Sequence, residues 1–353
     1  MKHLTLSNQY LAELRKTEIQ IQSAARLHFG FLDIGGSLGR KFGSLGLSLS
    51  NPEIEIKVRA AEDLVIYGPD EEKIKLALKY AKLFYEHPTL EGQLADHPFR
   101  GEIHLDKMIP SHQGLGSGTQ LALCVVMALC MLHGVDCSVS EVALMVRRGL
   151  RSGIGIESFK SGGFIVDGGS ADPQREPPLP LFRHSFPENW RAIVVFPPGA
   201  HGLNGRDEEN VFVKMNPDPQ ASKEICQLVL MKLLPGLLEA KLEPFAEALE
   251  QIQRITGASF ADFQSGHYAS PMAEDIFSKM RQLGAVGMGQ SSWGPTLYGF
   301  ADSPAAASRI VEDLRAYFGH FVGSDGALLA VSSLSGRNVG ARVKRVKISD
   351  ERG

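Results

Sequence analysis

Pro110-Ser111-His112-Gln113-Gly114-Leu115-Gly116-Ser117-Gly118-Thr119-Gln120 is a glycine-rich turn that runs straight into twelve apolar residues, Leu121 to Leu132. Three glycines and three hydroxyls over so short a span let the backbone curl with its N–H groups turned inward. The apolar run predicts a buried helix, and Gly134 supplies its C-terminal stop. A helix start has unpaired N–H groups and the positive end of the peptide dipole, so it suits phosphate. The same pattern also describes an ordinary tight strand-to-helix turn, and the rest of the chain has to decide between them. The run is too short, and too closely flanked by polar loops, to span a bilayer.

The 353 residues suggest about two domains, each large enough for its own core. Hydrophobic residues make up 43% and charged residues 22%, which argues against wholesale disorder. A net charge of −3, with basic residues scattered except at Arg147 to Arg151 and Arg342 to Lys347, gives no electrostatic footprint for nucleic acid. Cys124, Cys130, Cys137 and Cys226 lack metal-site spacing, and the first two are expected to pack as small hydrophobes. Met1 to Gln22 is polar with no apolar leader segment, so a cytoplasmic location is expected, without membrane partners.

Strands are predicted over Ile19 to Gly30 and, with period two, over Glu53 to Val58, joined by a glycine-rich loop from Asp33 to Ser48. A helix over Glu71 to Glu86, a strand near Glu102 to Leu105 and a helix over Val139 to Arg148 follow. The proline-rich stretch 171–189 reads as a linker. Beyond it come a β-prone run Arg191 to Phe196, helices over 221–239, 241–255 and 272–283, strands near Ala285 to Met288 and Thr296 to Phe300, a helix over 303–318 and a strand over Ala327 to Ser332. The pattern predicts two α+β domains, residues 1–180 and 181–353, with a cleft between them.

Four polar, glycine-rich clusters fall at the ends of these elements, where small residues let a ligand approach the backbone. The first is Arg26, His28, Asp33 and Arg40, with Arg26 and His28 two apart on one strand face. The second is the opening loop with Ser117 and Thr119. The third is Arg148, Arg151, Ser152, Gly153 and Gly155, continuing to Gly162 through Gly169 with Asp167. The fourth is Gly287 to Pro295, with Gly289 and Ser291. Taken singly, Arg26 is as compatible with a structural ion pair, Asp167 with a turn, and His112 with a solvated loop side chain. Together, the arginines and the anion loop suggest a ligand with more than one phosphate. Asp33 and Asp167 are then the carboxylates placed for Mg²⁺ or for a developing cation.

Pro110 to Gln120 resembles the Pro-x-x-x-Gly-Leu-Gly-Ser-Ser signature of the GHMP small-molecule kinase superfamily, and Gly287 to Gly294 resembles its third glycine motif. The kinases continue Gly-Leu-Gly with Ser-Ser-Ala, where this chain has Ser117-Gly118-Thr119-Gln120. A non-kinase branch is closer. Ala25 to Asp33, Gln113 to Gln120, Arg151 to Gly155, Gly162 to Gly169, and Pro197 to Leu203 followed by Glu208-Glu209 are similar to the β-ribofuranosylaminobenzene 5′-phosphate synthase family over essentially the whole chain.

The resemblance implies a GHMP-kinase-like α+β fold, with a ribosomal S5 domain 2-like N-terminal domain and a ferredoxin-like C-terminal domain. It implies a decarboxylating pentosyltransferase of tetrahydromethanopterin biosynthesis. That reaction condenses 5-phospho-α-D-ribose 1-diphosphate with 4-aminobenzoate, or 4-hydroxybenzoate, and releases CO₂ and diphosphate. Mg²⁺ is the implied cofactor, with no organic group; a homodimer is left open. Gly114, Gly116, Ser117, Gly118 and Thr119 would meet the diphosphate. Arg26, Arg40, Arg148 and Arg151 would meet the remaining phosphate and the aryl carboxylate, with Ser152, Gly289 and Ser291 alongside. Asp33, Arg40 and Asp167 take the catalytic positions, Asp33 also as the metal ligand, and His28 orients the arene. The rival readings are an ATP-dependent kinase with Glu157 as base, and a non-catalytic relative on the same scaffold.

Overall fold

The computed structural model describes residues 14, 16–90, 94, 100–199, 205–264, 266–323 and 326–348, with 205–209 described through their backbone alone. Ala200 to Leu203 and the side chains of Glu208 and Glu209 lie outside the described residues. Two sheets organise the rest. In the first, long strands β1 (Thr17–Asp33) and β2 (Phe42–Arg59) pair antiparallel. β3 (Val65–Tyr67) and β4 (Glu102–Lys107) extend it beyond β2. β5 (Phe164–Asp167) pairs with the other end of β2, and β6 (Pro180–His184) with β5. The second sheet has the order β10 (Ala330–Leu334), β7 (Arg191–Phe196), β9 (Leu297–Ala301), β8 (Val286–Gln290), all antiparallel.

Local chemistry starts and stops the helices around the first sheet. Asp70 caps α1 (Glu71–Tyr85) by accepting from the Lys73 N–H at 2.8 Å, and Glu71 and Glu72 oppose the dipole. The opening sequence forms α2 (Ser117–His133), whose N-cap Gly116 has no side chain with which to satisfy the first N–H groups. Its end at Gly134 is left-handed, as the sequence predicts. Ser138 and Glu141 form a reciprocal capping box on α3 (Val139–Met145), and α4 (Ile154–Lys160) follows Gly153. Cys124 and Cys130 are buried within α2. Among the described residues no helix is long and apolar enough to cross a membrane.

The second half carries α5 (Gly205–Lys214), α6 (Pro219–Leu228), a π turn (Val229–Leu233), α7 (Leu234–Leu238), α8 (Leu242–Phe260), α9 (Ala273–Gln282) and α10 (Pro304–Phe318). One apolar core runs through both sheets. Phe29 of β1 meets Tyr298 of β9 at 5.0 Å between ring centroids, and Phe164 of β5 meets Phe245 of α8 at 5.8 Å. Each such fully buried ring contributes on the order of 2 kcal/mol by area, so this aromatic band fixes one sheet against the other.

Three parts of the chain depart from the sequence reading. The loop expected over Asp33 to Ser48 is confined to 34–41, because Phe42 to Ser48 pairs with β1 on one side and β5 on the other. The proline-rich stretch is not only a linker: Leu181, Phe182 and Arg183 are strand residues on the first sheet. β6 thus belongs to the first sheet and β7 to the second. Finally, the basic run Arg342 to Lys347 forms β11, pairing with Thr17 to Gln22 of β1 as the far neighbour of β2.

Candidate active site

Two glycine loops meet at one point. Gly114 and Gly116 adopt φ +72° and +80°, and a Cβ on Gly114 would lie 2.2 Å from the Ser291 carbonyl oxygen, so only glycine fits there. The Ser291 hydroxyl donates to the Gly114 carbonyl at 2.7 Å and accepts from the His28 N–H at 3.0 Å, while the Ser292 N–H donates to the His28 carbonyl at 3.1 Å. The Arg26 guanidinium also donates to the Gly114 carbonyl, and its own N–H donates to Leu115 at 3.1 Å. Arg26 to His28 pair with Ser48 to Gly46 in unbroken register, so Arg26 and His28 share a face as their spacing predicts. Register shifts on either side are where β1 re-aims its side chains towards the loops.

Further cations surround the uncapped start of α2. Arg148 Nε donates to the Tyr80 hydroxyl at 2.9 Å, and a Cβ on Gly118 would lie 3.7 Å from its guanidinium. Burial raises the Tyr80 phenol above its ordinary range, so it stays protonated. Lys73, only 7% exposed, donates to the Ser111 hydroxyl at the head of the loop. Lys73 and Tyr80 lie seven residues apart on one face of α1. The described hydrogen bonds of both cations go to neutral hydroxyls, leaving their charge for an anion. Neither Lys73 nor Tyr80 follows from the motifs. Their signal was a lysine standing among Ala77, Tyr80 and Phe84 on the buried stripe of α1.

Other expected site residues turn inward. Gln120 is fully buried, accepting from Ser23 at 2.6 Å and donating to the Gly155 carbonyl at 2.8 Å. The Thr119 methyl packs where a Cβ on Gly155 would lie, at 3.0 Å. Asp167, with no exposed surface, accepts from the Gly153 and Gly169 N–H groups at 2.9 Å each and from the Ser44 hydroxyl. Ser152 joins this cluster through Ser44 at 2.7 Å. Burial pushes the Asp167 carboxyl up to about 6 against the pull of those donors. Arg40 pins the turn after β5, donating to the carbonyls of Gly168 at 2.9 Å and Gly169 at 2.7 Å. As built, Asp167, Ser152 and Arg40 shape the loop before α4. Gly289 is a packing glycine, since a Cβ there would lie 2.5 Å from both Gln253 and the Tyr298 hydroxyl.

Asp33 stands apart from them at the end of β1. It accepts from the Gly36 N–H at 2.9 Å, from Ser222 of α6 at 3.2 Å and from Ser37 at 3.5 Å. Arg151 lies over the Phe212 ring at 5.1 Å. His28 is buried, and burial together with the nearby Arg26 charge holds it well below the usual histidine range, so it is neutral. Glu157 is also buried and is ion-paired to Lys160 at 2.8 Å. Among the described residues no three His, Cys, Asp or Glu side chains converge as a metal cage. A single carboxylate such as Asp33 does suit Mg²⁺ that keeps its waters and binds through substrate phosphates.

An uncapped helix behind a glycine loop, locked to a second glycine loop from the other half, defines the class. Residues 74–163 match the GHMP kinases N-terminal domain and residues 233–320 the GHMP kinases C-terminal domain. The fold is theirs. Mevalonate diphosphate decarboxylase from Staphylococcus aureus superposes with a TM-score of 0.66 at 12% identity, over 94% of this chain and 99% of that one. Homoserine kinase from Cytophaga hutchinsonii gives 0.61 at 18%, over 93% and 97%.

Sequence relatives are more specific. The chain is 33% identical over 299 residues to a β-ribofuranosylphenol 5′-phosphate synthase from Methanothermobacter thermautotrophicus, covering 81% of this chain and 89% of that protein. A second, from Methanocaldococcus jannaschii, is 32% identical over 307 residues, covering 80% and 89%. The chain belongs to the β-ribofuranosylphenol 5′-phosphate synthase family.

Proposed function

We propose that the protein condenses 5-phospho-α-D-ribose 1-diphosphate with 4-hydroxybenzoate, releasing diphosphate and CO₂ and leaving a ribofuranosylphenol 5′-phosphate. It would act as a decarboxylating pentosyltransferase of tetrahydromethanopterin biosynthesis in the cytoplasm, on small molecules alone. The observation that carries the reading is the ring of Arg26, Lys73 and Arg148 around the uncapped start of α2, in a chain whose relatives bear that name. The relatives are named for a ribofuranosylphenol product, which favours the hydroxy acid over 4-aminobenzoate as acceptor.

In the reaction the bond from ribosyl C1 to the diphosphate oxygen breaks with its electron pair on the leaving group. The ring carbon bearing the carboxylate forms the new C–C bond to C1. Loss of CO₂ then returns the carboxyl bond pair to the ring and restores aromaticity. The N–H groups at Gly116 to Gly118, with Lys73 and Arg148, would hold the developing diphosphate charge. Arg26 would sit on the side of the arene and the developing cation. Asp167 and Arg40 act as positioning residues, through the loop they hold. Mg²⁺ would be held by Asp33 together with the diphosphate, and would supply charge neutralisation on the leaving group.

The test is release of labelled CO₂ from carboxyl-labelled 4-hydroxybenzoate with Mg²⁺ and the phosphoribosyl diphosphate. Release that depends on both substrates is expected. ATP-dependent phosphorylation of an alcohol without CO₂ release would overturn the reading in favour of a kinase.

A further inference from the structure

Beside the loop junction lies a small, partly open cleft. His28 and Phe31 of β1, Thr256 and Phe260 of α8, and Trp293 of the second glycine loop line it. Its walls are aromatic: Phe260 and Trp293 stack edge to face at 4.5 Å, and His28 and Phe31 at 4.9 Å. No lysine, arginine, aspartate or glutamate is among its lining residues.

The polar groups in this lining divide into those already used and those left over. Gln253 donates to the Phe29 carbonyl at 2.6 Å and accepts from the Gln290 N–H at 2.9 Å. Gln290 accepts from the Ala269 N–H at 2.6 Å and donates to the Ser292 carbonyl at 3.1 Å. The Thr256 hydroxyl, by contrast, is shut off from solvent with no hydrogen-bond partner, a costly arrangement unless a ligand completes it. His28 Nδ1 accepts from the Gly30 N–H at 3.2 Å, so its neutral ring carries its proton on Nε2. The chain passes closely here: a Cβ on Gly30 would lie 2.8 Å from the Thr256 hydroxyl oxygen.

We infer that this cleft is the acceptor subsite and that it reads the para substituent of the arene through Thr256 and His28. The inference rests on the function proposed above. A carboxylate placed inside would meet no lysine or arginine, so the ring enters with its para end first. That leaves the carboxylate-bearing carbon, the one that must reach ribosyl C1, at the mouth towards the arginines. A phenol oxygen accepts from His28 Nε2–H and donates its proton to the Thr256 oxygen. An aniline nitrogen is a poor acceptor and sets an N–H against the His28 N–H, so the cleft selects hydroxyl over amine.

Turnover of 4-hydroxybenzoate, 4-aminobenzoate and benzoate by the full-length enzyme tests the inference, with quenching of Trp293 fluorescence as a readout independent of turnover. The wild type should favour the hydroxy acid by tenfold or more in kcat/KM. Thr256→Val should collapse that preference with the KM for the phosphoribosyl diphosphate unchanged, and Thr256→Ser should restore it. Quenching by 4-hydroxybenzoate should weaken in Thr256→Val and vanish in Trp293→Phe. Normal turnover with an unaltered preference in Thr256→Val overturns the subsite alone, as does a wild-type preference for the amine. Quenching that follows Thr256 in a protein that releases no CO₂ upholds the subsite and overturns the proposed reaction. Absence of quenching in the wild type overturns the subsite.

Discussion

Lys73 shows how one side chain can be committed before its ligand arrives. Its backbone N–H is spent on the Asp70 cap, while its ammonium is buried against the Ser111 hydroxyl, an arrangement that suits an arriving diphosphate. Lys73→Met keeps the length, the helix propensity and the cap. It should raise the KM for the phosphoribosyl diphosphate about tenfold, equivalent to about 1.4 kcal/mol, and leave the KM for 4-hydroxybenzoate unchanged. Initial-rate kinetics against each substrate decide this, and equal donor KM values would remove Lys73 from the site. Asp167 makes the opposite commitment. Its native carboxyl titrates at about 6, above the roughly 3.9 of an unfolded chain, so between those values the native state keeps a proton that the unfolded state releases. This group therefore costs stability as pH rises from 4 to 6, and the cost persists above 6. Asp167→Asn lacks that slope. Relative to the wild type it should gain roughly 2 kcal/mol between pH 4 and pH 7, whatever fixed offset its altered hydrogen bonds impose. Chemical denaturation of both proteins across that range measures the gap; a constant gap would show that Asp167 ionises freely in the native state.

The elements differ in how much of them the sequence reveals. Gly114-Leu115-Gly116 and the apolar run to Leu132 were legible because helix, stop and left-handed glycines all follow from short-range chemistry. Arg26 and His28 were legible as a pair because strand periodicity is local. β6 was hidden by its prolines, and β11 by its charge, since both are strands by virtue of partners distant in sequence. The acceptor cleft was hidden for the same reason: β1, α8 and the loop at 290–293 contribute to it from three parts of the chain. Asp167 looked like a site carboxylate from its flanking glycines, and only the fold shows those glycines donating to it. The two-loop junction offers a direct test of the element scale. Gly114→Ala forces a Cβ into left-handed backbone and onto the Ser291 carbonyl, so the loops must part. The variant should lose at least 1–3 kcal/mol of stability and nearly all turnover. Gly118→Ala, where the nearest atom is a flexible arginine at 3.7 Å, should keep its stability and weaken donor binding only. If the two variants melt alike, the close approach of the loops is not what holds the site together.

At the scale of the molecule, the site hangs on one strand that is gripped from both sides. β1 carries Arg26, His28 and Asp33, and its inner neighbour β2 pairs along nearly all of it. Its outer neighbour over Thr17 to Gln22 is β11, drawn from the far end of the described chain. The segment leading to β11 is itself fastened: Arg337 pairs with Glu53 at 2.6 Å, its N–H donates to the Ser48 carbonyl at 2.9 Å, and its carbonyl accepts from the Gly163 N–H at 2.6 Å. This return closes the first sheet over Ile19 and Ile21, both without exposed surface, and its lysines and arginines guard the new edge against pairing with other chains. A chain ending at Ala341 loses six residue pairs along β1, and each ladder hydrogen bond is worth about 0.5–1.5 kcal/mol net. The truncated protein should melt several degrees lower and, with β1 now an unguarded edge, should associate as concentration rises. Because Arg26 and His28 lie farther along the strand, beyond the stretch that β11 covers, the fraction that stays monomeric should bind the phosphoribosyl diphosphate with a KM close to that of the full chain. Thermal melts, light scattering over a concentration series and donor kinetics separate the three effects. A truncated chain that is monodisperse and melts with the wild type would show that β2 alone positions the strand bearing the site.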